Sequence, residues 1–308
     1  MDKIISVLQV VVPIFAAVVL GVIARKKNLL APEGIQGLQQ FVMNFGLPCV
    51  IFNSCLTANV GAESLGTMAL VFPFMVCTTL WAFRARKGKF PYHNFPQLFC
   101  AQETGMLGIP LFMILFGSAQ AYRMGILDLT QSITALPTIA ILSASTGENP
   151  DPKMIVKKVM TSPLMVMSIL GLTLNISGIG RYLDTIGVAG IITETTGFLG
   201  QPISALMIFG VGYNFSLSSE NRKEVFKICT IHFVTFALIG ILVQLGLFLI
   251  PNVTPETRWA ILLYSLLPGS YLAPSLGKTK EDFAVTSSVC SVLTVVTLIV
   301  FCIMAAII

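Results

Sequence analysis

Apolar stretches of bilayer length fill about two thirds of this chain, and their repetition leaves little freedom in what it can become. Ten run at about residues 4–23, 35–55, 65–83, 95–117, 122–142, 163–179, 197–217, 226–250, 258–277 and 284–307. Each is near the ~20 residues a helix needs to cross the hydrocarbon core. Backbone polar groups in lipid must find partners inside the protein, so stretches of this length are read as helices. Charged residues make up only 11% of the chain, against roughly 25% in soluble domains. The expected class is an all-α polytopic membrane protein with ten transmembrane helices, whose loops are too short for a soluble domain. The lipid bilayer is the partner this composition dictates, and no nucleic-acid partner is expected. Met1-Asp2-Lys3 lead straight into the first apolar run with no small-residue cleavage site, so that run is read as a retained span.

Loop charge sets the orientation. Fifteen of the 19 Lys and Arg fall on one side: Arg25 to Lys27, Arg84 to Lys89, Lys153 to Lys158, Arg222 to Lys227, and Lys278 with Lys280. The other side holds Lys3, Arg123, Arg181 and Arg258. The alternation needs no basic residue in mid-membrane. It predicts a plasma-membrane protein with both termini outside.

The two halves echo each other. Pro13 leads to Leu20-Gly21 as Pro163 leads to Leu170-Gly171, 150 positions on, and Gly46-Leu47-Pro48 is answered by Gly200-Gln201-Pro202. Five spans is an odd number, so a second repeat enters from the opposite side: an inverted-topology duplication. The expected units are a first repeat at 1–143, a cytoplasmic linker at 144–162 and a second repeat at 163–308. Residues 25–38 and 181–196 make matching connectors, read as candidates for short interfacial helices.

Span 4 contains Gln102-Glu103-Thr104-Gly105-Met106-Leu107-Gly108-Ile109-Pro110, and span 9 contains Pro268-Gly269-Ser270-Tyr271-Leu272-Ala273-Pro274. Glycine allows unusual dihedrals and close approach, and proline removes a donor and prevents helix repair. Matched broken spans in two halves point to a secondary transporter with its site at the breaks, where half-helix ends and freed backbone groups meet a solute. Glu103, Thr104, Gly105, Pro110, Gly269, Ser270 and Tyr271 are the candidate substrate contacts there. Asn44 in span 2 and Asn214 in span 7 are added as polar groups that face either the site or a neighbouring helix.

Of the 14 acidic residues, only Glu103 and Asp128 lie well inside spans. A carboxylate at mid-bilayer costs several kcal/mol, on the order of 3 on insertion scales, and marks function by default. Carboxylates withdrawn from water hold protons more readily, which suits proton coupling. Both are therefore candidate coupling residues, with H+ or Na+ as the coupling ion. The bland alternatives are a permanently protonated carboxyl, or an Asp128–Arg123 ion pair. Asp128, Gln131 and Ser132 share one helix face, which lines a wet cavity or bonds helices together.

Other features point nowhere in particular. The seven cysteines sit in apolar runs with no metal or disulfide spacing. No cofactor and no metal site is expected. His232 reads as a packing residue and His93 carries no signal. Glu103 and Asp128 as an acid–base pair would suit an intramembrane enzyme, but no Gly-x-Gly-Asp or His-Glu-x-x-His motif and no Ser–His pairing accompanies them. Asn252-Val253-Thr254 is an external glycosylation sequon that matters only in a eukaryotic host.

Phe45-Gly46-Leu47-Pro48, the run from Thr104-Gly105-Met106 to Ile109-Pro110-Leu111, Ser162-Pro163 to Gly171-Leu172, and Gly210-Val211-Gly212 together resemble the auxin efflux carrier family. That family includes bacterial malonate-permease-like carriers and the plant PIN proteins. The resemblance spans essentially the whole chain. It implies two inverted five-helix repeats of the sodium/bile acid symporter type with helices 4 and 9 crossing. It implies a scaffold of helices 1, 2, 6 and 7, and a transport domain of helices 3–5 and 8–10. It further implies organic-anion transport by an elevator motion, and a homodimer through the scaffold. The family often has Asn where this chain has Glu103, and often has another Asn in span 9 that is missing here. The expected function is a secondary active transporter of a small organic acid. An exporter of a cationic or zwitterionic solute, with Glu103 as counter-charge, is the alternative.

Overall fold

The computed structural model describes residues 2–58, 61–144, 157, 161–215 and 221–308. These are all-helical, 83% helix, with no strand among the described residues. Of the expected 144–162 linker only Ala144, Lys157, Thr161 and Ser162 are described; Lys153 and Lys158 lie outside the described residues. Six helical stretches are long and apolar enough to cross a membrane: Val7–Lys26, Pro32–Thr57, Ala62–Arg86, Ser118–Ser143, Arg222–Leu249 and Lys280–Ile307. Two shorter apolar helices, Thr104–Phe116 and Pro163–Ile176, accompany them.

In chain order, α1 (Asp2–Lys26) is followed by α2 (Pro32–Phe41), which runs through a π-turn at Val42–Gly46 into α3 (Leu47–Thr57). Next come α4 (Ala62–Arg86), the single turn α5 (Gln97–Cys100), a second π-turn at Thr104–Gly108 with α6 (Ile109–Phe116), and α7 (Tyr122–Ala144). The C-terminal part comprises α8 (Pro163–Ile176), α9 (Ile179–Thr185), α10 (Val188–Gly200), α11 (Ile203–Asn214), α12 (Arg222–Gly246), α13 (Pro255–Leu266) and α14 (Lys280–Ile307).

Local chemistry explains many ends. Pro32, Pro163 and Pro255 open their helices, where a missing N–H costs nothing. Ser162 caps α8 by accepting from Met165 N, and Thr279 with Asp282 forms a capping box on α14. Residues 181–196, expected as a connector with a candidate short interfacial helix, are mostly helix. Two left-handed glycines, Gly178 (φ 78°) and Gly187 (φ 76°), turn the chain into α9 and then α10. The seventh apolar segment therefore begins at Val188 rather than near 197, and it is interrupted at Gln201-Pro202.

Two helix pairs touch backbone to backbone. A Cβ on Gly21 of α1 would lie 2.1 Å from Phe209 O of α11, and one on Gly212 of α11 would lie 2.1 Å from Val18 O of α1. Across the molecule, a Cβ on Gly171 of α8 would lie 2.6 Å from Phe52 O of α3. Asn175 of α8 then closes the end of α3, its Nδ2 donating to Cys55 O (2.9 Å), Leu56 O (2.9 Å) and Ala58 O (2.6 Å). Elsewhere the core is aromatic. Phe90 stacks on Phe95 at 4.8 Å, and Phe99 meets Phe236 at 6.2 Å with His232 between them. His232 is thus a buried packing residue.

Arg123 does not pair with Asp128. Its guanidinium lies 3.1 Å from Glu63 and bonds Thr257, while Glu63 Oε1 also accepts from Thr254 N at 2.8 Å. Glu63, one turn from the loop on α4, is the nearer acid in space. The cluster ties α4, α7 and α13 together at one end of the molecule.

Candidate functional site

Two interruptions of helix meet at the centre. α5 stops at Cys100, and Ala101 is extended (φ −154°, ψ 144°). α13 stops at Leu266, before Pro268. Between them Gln102 and Gly269 pair in an isolated antiparallel bridge. Glu103 N donates to Pro268 O (2.9 Å) and Ser270 N donates to Ala101 O (3.1 Å). With its amide nitrogen turned toward the second segment, the Gln102 side chain donates to Pro268 O (2.9 Å) and Leu267 O (3.0 Å). Backbone groups released from each helix are thus satisfied by the other segment. Gly269 permits the approach, because a Cβ there would lie 2.6 Å from Leu98 O.

Gln131 of α7 holds this pairing from behind. Its Oε1 accepts from Gln102 N (2.8 Å) and from the Tyr264 hydroxyl (2.9 Å). Its Nε2 faces Gln102 O (2.9 Å), Thr104 Oγ1 (3.0 Å) and Asp128 Oδ1 (3.0 Å). Thr104 Oγ1 donates to Asp128 Oδ1. Thr134, one turn on, donates to Cys100 O (2.9 Å) at the end of α5. Asn94 supports the second segment by donating to Ala273 O (2.8 Å) and Thr286 Oγ1 (3.0 Å).

Glu103 is almost fully buried, and both of its oxygens are used. Oε1 accepts from Met106 N (3.2 Å), capping the π-turn, and Oε2 accepts from Tyr271 N (2.7 Å) on the other segment. The carboxylate is a tie between the two interruptions, and it does not line the neighbouring cavity.

That cavity is about 730 Å³, within the range of small-molecule sites. It opens where the C-terminal ends of α1 and α11 and the start of α14 come together, lined there by Arg25, Asn28, Phe215, Ser275 and Phe283. It reaches inward to Met106, Tyr271, Cys290 and Thr294. The Tyr271 hydroxyl bonds Thr294 Oγ1 (2.6 Å). A separate cavity of about 70 Å³, room for about two waters, is lined by Asp128 and Ser132 of α7 together with Ser162 and Ser168 at α8.

Of the residues singled out in the sequence, Tyr271 and Asn214 line the large cavity. Glu103, Thr104, Gly105, Gly269 and Ser270 cluster at the paired interruptions just behind it. Pro110, in the first turn of α6, accepts from Ser204 Oγ of α11 (3.2 Å). Asp128 faces the small cavity, joined to the pairing through Thr104 and Gln131. Asn44 is exposed and lines neither cavity. Sequence reasoning missed Arg25, Gln36 and Gln39 as cavity residues. Arg25 looks like any loop cation, and both glutamines lie on an amphipathic helix that borders a loop.

Among known proteins, a family model described as "Membrane transport protein" matches residues 6–308, nearly the whole chain. Comparison with curated proteins gives no match.

Proposed function

We propose a function from one premise, that the chain belongs to the auxin efflux carrier family of membrane transport proteins. Members are transporters, and the apolar helices make this an integral membrane protein. In our reading it is a secondary active carrier of a small organic acid. The observation that carries the reading is the cavity that runs from one face to Tyr271, which is itself bonded to Glu103 at the paired interruptions. A path from one face that ends on freed backbone at the centre is what alternating access requires.

The helix contacts support two inverted repeats. Span 1 packs on span 7 through Gly21 and Gly212, and span 6 packs on span 2 through Gly171. This swapped pairing is what a pseudo-two-fold axis would generate, and it gives the Gly21/Gly171 echo a physical cause. The four spans concerned would form the static scaffold, with the paired interruptions carried by the moving part in an elevator motion. Lys and Arg asymmetry favours a cytoplasmic mouth for the cavity. Ion coupling would use Asp128, whose carboxylate meets a small polar cavity, together with Glu103.

Reconstituted vesicles test this. Wild type should take up succinate or benzoate in response to an imposed proton or sodium gradient. Glu103→Gln leaves a single acceptor oxygen for two N–H groups and should lower uptake at least about tenfold, a loss of ~1.4 kcal/mol in the transport step. Asp128→Asn keeps an acceptor for Thr104 and should transport without ion coupling. Unchanged, still gradient-driven uptake in both variants would remove the carboxylates from the mechanism. Substrate currents of cationic sign would instead select the cation or amino-acid exporter.

A further inference from the structure

The large cavity has a charge that the paired interruptions lack. Arg25 is the one charged side chain among the described residues lining it. Its Nη1 donates to Tyr213 O (3.3 Å) and Phe215 O (2.7 Å) at the C-terminal end of α11. These two bonds fix the guanidinium in place, and helix-end carbonyls complement its charge. Nε and Nη2 have no partner among the described residues, and no carboxylate there pairs with Arg25. A planar fork whose remaining donors have no partner among the described residues is suited to oxyanions.

A second donor stands about one turn away along α11. Gln39 of α2 lines the same cavity, and its Nε2 is buried with no hydrogen-bond partner. A buried amide donor left unpaired costs about 1–3 kcal/mol. Gly210 makes the room for it, since a Cβ there would lie 2.6 Å from Nε2. The missing Cβ lets the Gln39 amide pack against α11, and a donor left without a partner on a cavity wall is poor packing for a scaffold.

We infer that Arg25 and Gln39 form an anion subsite on the α1–α2–α11 wall of the cavity, binding the charged end of an oxyanion such as a carboxylate. This rests on the transporter reading and adds to it. The anion is held by the wall opposite Tyr271, and Glu103, with both oxygens occupied, is not its partner. A carrier that binds an anion across from a buried carboxylate keeps the two negative charges apart.

The test needs no knowledge of the substrate. In the full-length protein with its native cysteines replaced by serine or alanine, Ser287→Cys puts a thiol on the cavity wall. Two methanethiosulfonate reagents of similar size, one bearing a sulfonate and one a quaternary ammonium, then report the local preference. The sulfonate reagent should react about tenfold faster, as a focused positive site predicts. Arg25→Gln should remove that preference by slowing the sulfonate reagent alone. Gln39→Leu should slow it about threefold, and Arg25→Lys should keep part of it. If Arg25 contributes only its charge while capping α11, Arg25→Lys will keep the full preference, and that result overturns the inference. So does an unchanged ratio in Arg25→Gln and Gln39→Leu. Anion preference without organic-acid uptake in vesicles would sink the transport reading and leave this subsite standing.

Discussion

Gln131 is the residue on which the centre depends most. Through one amide it bonds both backbone polar groups of Gln102 and touches Thr104, Asp128 and Tyr264. Gln131→Leu keeps the volume, strands the Gln102 N–H in a dry interior and takes an acceptor from the Tyr264 hydroxyl, while Gln102 O keeps Thr104 N. Buried groups left unpaired cost about 1–3 kcal/mol each. The variant in detergent should therefore melt several degrees lower, with a total loss on the order of 3 kcal/mol. Melting at the wild-type temperature would mean that Gln102 finds other partners. The carboxylates were legible in the sequence, because a charge in an apolar run is costly wherever its partners lie. Their roles were not. Glu103 is held by backbone N–H groups of Met106 and Tyr271, 3 and 168 positions away, and nothing in the residue types announces that. Arg25 was hidden by being one of fifteen basic residues that loop charge assigns to one side.

Helices carry the next level of constraint. α1 and α11 meet through glycines, so the Cβ and methyls of Gly212→Val would collide with the Val18 carbonyl. Backbone cannot move aside as a side-chain tip can, and overpacking of this kind costs about 3 kcal/mol or more. Gly212→Val should express as aggregate or melt far below wild type. Gly37→Ala, in open space on α2, should be neutral or slightly stabilising. Equal behaviour of the two would contradict the close contact. The Pro-to-Gly echo between halves was readable in the sequence because both glycines serve backbone contacts. The π-turns at Val42–Gly46 and Thr104–Gly108 were not, since an extra residue in a helical turn leaves composition and periodicity almost unchanged. The break at Gln201-Pro202 was not legible, because Gly200-Gln201-Pro202 registers in the sequence only as an echo of Gly46-Leu47-Pro48. The helix before it was anticipated as a short helix within 181–196, and only its continuation to Gly200 was not.

At the scale of the whole molecule, the proposed motion slides the helices bearing the interruptions against α1, α3, α8 and α11. Spin labels at Lys26 and Lys280 should then report two distances more than ~5 Å apart, about one helical turn, with populations that shift when a transported acid is added. Labels at Lys26 and Gln201, both at ends of the α1–α11 pair, should give one distance throughout. A single, unresponsive distance for both pairs would leave no elevator to describe. One end of the molecule is clamped by Arg123, Glu63, Thr254 and Thr257, and the other opens into the cavity at Arg25. Because α4, α7 and α13 all belong to the proposed moving part, the clamp would keep that part rigid while it slides. An acid that fills the mouth but is too bulky for the wall to close around it would stop that rigid part from sliding at all. It would bind as a wedge and halt the carrier without ever being carried.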